Sequence, residues 1–141
     1  CKLPISPMNM LIETRLATLE QVSPDLMEVR FKPDQKIDVH GLDEILQERQ
    51  RMCPGRSTAI LGIFPPEVDF DLDVMTRDHY QGRGLENCTK ALAIAAGSTL
   101  NERMAGLYFA YFPQQFSTSV FLMDTEARSW LAGQLAERSM S

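Results

Sequence analysis

Four carboxylates crowd one short stretch of this 141-residue chain: in EVDFDLDV, Glu67, Asp69, Asp71 and Asp73 alternate with apolar residues. Carboxylates in that pattern can bind Mg²⁺ or Ca²⁺ through oxygen. Phosphoryl transfer to an Asp would need the first carboxylate at the tip of a strand, and Pro65 and Pro66 intervene here. A solvated loop that places its acids at a helix N-terminus explains the same pattern. A cluster of that kind could imitate a phosphorylated switch, so Asp69, Asp71 and Asp73 are candidate regulatory-loop residues.

Three further constellations bear weighing. His79 precedes Cys88 by nine positions, but a Cys–His nucleophile needs spatial adjacency and an orienting group, which the spacing does not show. His40 stands at a helix start and reads as surface. GRG at 82–84 precedes an apolar run, whereas a dinucleotide fingerprint follows a strand and opens a helix. Gly97, Ser98 and Thr99 do lie between a strand and a helix, where backbone N–H groups and two hydroxyls could hold an anion. An ordinary capped helix is the favoured account of them.

These residues depend on the elements that carry them. Residues 1–10 read as a lead-in without period. Leu11 to Val22 reads as one strand. SPD at 23–25 is turn chemistry. Met27, Val29 and Phe31 then alternate with Glu28 and Arg30, so a hairpin is expected. Asp38 can cap a helix running from His40 to Met52, with Leu42, Ile45, Leu46 and Met52 inward and Asp43, Glu44, Glu48 and Arg49 on other faces. STAILGIF reads as a buried central strand. A short helix over 71–80 would bury Leu72, Met75 and His79 or Tyr80. KALAIAA is another buried strand. Thr99 and Glu102 fit a capping box, and Leu100, Met104, Leu107, Tyr108 and Tyr111 follow at helical spacing until Pro113. TSVFLM is the last strand. Asp124 or Thr125 caps a final helix striped by Ala127, Trp130, Leu131 and Leu135.

The order β–β–α–β–α–β–α–β–α implies a mostly parallel sheet with an antiparallel start. The expected fold is α/β, with about five strands and four helices in one domain over 11–137. The aromatics from Phe109 onward mostly close that fold. Phe109 and Phe112 exceed what one helix face can bury, and they are candidate interface or pocket residues.

Composition excludes several classes. The net charge is −5, with Lys and Arg scattered, which argues against a nucleic-acid surface. The apolar runs have strand length, so no membrane span is expected. Three cysteines without short spacing suggest neither a disulfide framework nor a zinc site. A reduced, cytoplasmic protein is expected. Cys1 reads as a trimmed end or a lipidated mature terminus.

EVRFKPDQKIDVHGLDEIL, KALAIAAGSTLNERMAGLYFAYF and TSVFLMDTEARSWL together resemble the STAS/SpoIIAA-like superfamily, over about residues 11–135. The resemblance extends to small stand-alone bacterial STAS-like domains of unassigned function. It implies a non-enzymatic role in protein–protein interaction, sometimes with a nucleotide or other small ligand; together with the aromatic patch at Phe109 and Phe112, the expected protein is a non-catalytic regulatory or scaffold module, a homodimer without a cofactor. FPPEVDFDLDVM departs from the phosphorylatable Ser motif of the anti-sigma antagonists, so that switch is not carried over. A carrier or sensor for a small apolar or anionic ligand is the alternative. A metal-dependent enzyme using Asp69, Asp71 and Asp73 comes third.

Overall fold

Alternating apolar and polar residues build the first part of the sheet, and continuous apolar runs build its centre. The structure is a computed structural model that describes residues 11–52 and 57–140. Strands β1 (Leu11–Glu13), β2 (Ala17–Ser23) and β3 (Leu26–Phe31) form an antiparallel meander. Strands β5 (Thr58–Ile63), β7 (Thr89–Ala95) and β8 (Ser117–Phe121) continue the sheet in parallel from β3. The sheet thus has six strands in the order β1-β2-β3-β5-β7-β8. Two-residue strands β4 (Lys36–Ile37) and β6 (Asp69–Phe70) pair separately.

Three α-helices cover the sheet among the described residues: α1 (Val39–Arg51), α2 (Thr99–Tyr111) and α3 (Asp124–Met140). Helices α1 and α2 share one face, where Ile45, Met52 and Ala105 join Val29, Ile60, Leu92 and Ile94. Helix α3 covers the other face. There Ala127 and Leu131 meet Ala59, Leu61, Ala91, Ala93 and Ala95, with Trp130 and Phe121 alongside. Those small side chains let α3 approach β7 closely. The opposite face is built from longer side chains and stands further from its helices.

The α/β class and the mixed sheet with an antiparallel start match the sequence reading; several elements differ. The run from Leu11 to Val22 is two strands. Thr14 folds back on Ala17, its N–H and hydroxyl both donating to the Ala17 carbonyl at 2.8 and 3.0 Å. Residues 71–80 form no α-helix. They make a 3-10 turn, Leu72–Thr76, because Asp71 takes the Asp73 N–H and the Thr76 hydroxyl donates to the Asp73 carbonyl at 2.7 Å. Such local bonds compete with a helix. Leu72 is therefore 75% exposed, and Val74 is the residue this turn buries.

Helix α1 is capped by Asp38, which accepts from Gly41 N at 2.8 Å, as expected. Helix α2 is capped by Ser98 and not by Thr99: Ser98 Oγ accepts from Asn101 N at 3.2 Å. The third position after the cap is thus Asn101, and the Thr99–Glu102 box does not form. Gly82 and Gly84 take left-handed φ values of 77° and 73°, which supply the expected turn. Cys88 is disulfide-bonded, which corrects the reading of unpaired thiols. Cys1 and Cys53 lie outside the described residues, as does the 1–10 lead-in. No helix among the described residues is long and apolar enough to cross a membrane.

Candidate functional site

The residues that the sequence nominated fall in three places. Asp69 and Asp73 are exposed, and Asp71 is half-buried at the cap of its turn. No group of His, Cys, Asp and Glu suited to a metal ion occurs among the described residues. Gly97 turns the chain with φ 82°, and a Cβ there would lie 2.8 Å from the Phe64 carbonyl. The Ser98 hydroxyl is committed to its cap. The Asn101 amide, only 1% exposed, donates to the carbonyls of Pro65, Pro66 and Ala96 at 3.1, 3.3 and 2.9 Å. The shallow cleft beside Ser98 carries Asp34, Glu67 and Asp69 with one cation, Lys36. That charge balance disfavours an anion at Gly97–Thr99.

Phe109 and Phe112 are both half-buried. Phe109 packs edge-on against Tyr108, with ring centroids 5.2 Å apart, and Phe112 lies 5.2 Å from the same ring. The exposed apolar residues of α2 are instead Leu100, Leu107 and Tyr111.

Beneath this helix lies a cavity of about 110 Å³. Its floor is the inner face of the sheet, including Val29, Ile60, Gly62 and Leu92. Its walls are α1, the 3-10 turn and α2, which contribute Ile45, Val74, Ala105 and Phe109. Gly62 supplies space because it has no side chain; a Cβ there would meet Ile94 Cδ1 at 3.0 Å.

The segment joining β6 to β7 closes this cavity and is tied at both ends. Arg83 donates to the His79 carbonyl at 2.7 Å and to Gln50 Oε1 at 3.0 Å, and pairs with Asp43 on α1. The Tyr108 hydroxyl accepts from His79 N at 2.8 Å and donates to the Arg77 carbonyl at 3.0 Å. The buried His79 ring stacks on Tyr108 and donates from Nε2 to the Val74 carbonyl at 2.9 Å. Burial holds the Tyr108 and Tyr80 phenols above the usual tyrosine range; for Tyr80 the nearby Arg49 charge opposes that rise.

One of the residues that line this apolar space is charged. Arg49 lines the cavity and is 4% exposed. Its Nη2 donates to Thr89 Oγ1 at 2.8 Å, while Nε and Nη1 have no partner among the described residues. Burial lowers its pKa from the usual arginine value. Thr89 is turned toward α1 by an irregularity in β7. Thr58 pairs with Thr89, yet Ala59 pairs with Ala91, so Lys90 is an extra residue. Thr58 Oγ1 is likewise buried without a partner.

The sequence reading placed Arg49 on a polar face, and the structure corrects this. A signal existed. Leu42, Ile45, Arg49 and Met52 follow the spacing of an apolar helical stripe, so Arg49 occupies a core position. The chain belongs to the family described as Domain of unknown function (DUF7793), which matches residues 21–134. No curated protein and no solved structure matches it.

Proposed function

We propose that this protein is a non-catalytic carrier or sensor that binds a small apolar ligand between the sheet and helices α1 and α2. The observation that carries this reading is the cavity itself. An empty space of about 110 Å³ costs a packed core roughly 2–3 kcal/mol. A ligand that fills it recovers the lost dispersion contacts. The lining chains come from α1, the 3-10 turn, α2 and the sheet, so occupancy would stiffen their mutual packing. That is the coupling a sensor requires. The resemblance to STAS-like domains supports binding over catalysis, although one fold hosts many functions.

The first test is native mass spectrometry of protein purified without denaturation, with Ala105→Leu as a cavity-filled control. The expected result is a small added mass on the wild type that disappears on denaturation and is absent from the variant. A bare chain in both samples, with no stabilisation of the wild type by any small apolar compound, would remove the reading.

A second reading rests on Leu100, Leu107 and Tyr111, which share the outer side of α2 and are 66%, 48% and 67% exposed. Leu122 and Met123, after β8, are exposed too. An apolar stripe of this kind suits a protein partner or a homodimer. Sedimentation velocity would show it as a dimer that Tyr111→Arg dissociates; a wild-type monomer at tens of micromolar would remove the homodimer.

A further inference from the structure

The cavity surface is almost wholly apolar, yet one of the residues that line it, Arg49, carries a buried charge. Arginine remains protonated in proteins, with one N–H on Nε and two on Nη1. In Arg49 both of those nitrogens lack acceptors. Its one bonded neighbour, Thr89, is neutral. Among the described residues no Asp or Glu lines the cavity, so none of them balances the charge from its walls. The contrast within this protein is direct. Glu28, on the other face of the sheet and 3% exposed, is paired with both Arg30 and Arg128. A buried charge left without a counter-ion is strongly unfavourable, and native structures supply a partner.

We infer that the cavity takes a small monoanionic amphiphile: a short-chain carboxylate whose head pairs with Arg49 and whose alkyl end fills the apolar lining. This rests on the ligand-binding reading above and names its chemical class. Among the described residues that line the cavity Arg49 is the one Lys or Arg, which matches one negative charge, and a phosphate dianion would call for more. Size bounds the tail. A cavity of about 150 Å³ accepts a benzene ring, so this space suits roughly four to six carbons.

The test is calorimetric titration of the full chain with straight-chain carboxylates from butanoate to octanoate, each against the alcohol of equal length. The expected result is that the best carboxylate binds roughly 10- to 100-fold more tightly than its alcohol, the range associated with a charged hydrogen bond. Arg49→Met should abolish that preference while still binding the alcohol. Arg49→Lys should retain part of it. If the alcohols bind the wild type as tightly as the carboxylates, the anionic class is wrong and the carrier reading stands. If neither series binds at millimolar concentration, both fail. The wild-type comparison decides the matter even if a variant folds poorly.

Discussion

Arg49 occupies a position that its helix otherwise gives to Leu42, Ile45 and Met52. In the absence of ligand its unpaired guanidinium costs stability. Replacing such a buried charge with an apolar side chain is often stabilising by about 1–4 kcal/mol. Arg49→Met should therefore raise the melting temperature by on the order of 3 °C or more in calorimetry, and a lowered value would show that the charge is already compensated. Asn101 is the opposite case, a buried polar group with its donors satisfied. Asn101→Leu leaves three carbonyls without their donor and should cost about 3 kcal/mol in urea unfolding. Ser98→Ala removes only a cap and should cost about 1 kcal/mol. Equal losses from the two substitutions would contradict the view that Asn101 pins the Pro65–Pro66 turn to the start of α2.

The segment between β6 and β7 acts as the wall of the cavity through Arg83 on one side and Tyr108 on the other. Arg83→Ala should speed amide hydrogen exchange over residues 79–84 by an order of magnitude or more, at about 1–2 kcal/mol of local opening, and leave β5 and β7 protected. The tyrosines add a pH dependence. Tyr80 and Tyr108 hold their protons more tightly folded than unfolded. Their contribution is complete below about pH 10, the unfolded value, and declines as pH rises toward the folded values. The urea midpoint should thus fall from about pH 10 upward, and less steeply in Tyr80→Phe. Much of this level was legible in sequence. Period-2 alternation gave β3, apolar runs gave β5 and β7, and Asp38 and Pro113 bounded helices. The 3-10 turn was not legible, because its outcome depends on Asp71 and Thr76 bonding the local backbone more effectively than a helix would.

At the scale of the whole molecule, the two faces of the sheet are built differently. Alanines on β7 and α3 give close packing on one face, while α1 and α2 enclose space on the other. Sequence gave the layers, because they follow from element order. It gave little of the site, because a cavity arises from where side chains stop short of one another, and Gly62 and Ala105 carry no mark of it. It offered Phe109 and Phe112 as interface or pocket residues; Phe109 lines the cavity, and the exposed stripe is Leu100, Leu107 and Tyr111. The most direct measurement is two-dimensional amide and methyl NMR of the labelled protein during titration with hexanoate. Shifts should gather at Val29, Ile45, Gly62, Leu92 and Ala105, around the interior space. Shifts confined to Leu100, Leu107 and Tyr111, or none at saturating concentration, would contradict an interior binding site and leave the outer face of α2 as the functional surface.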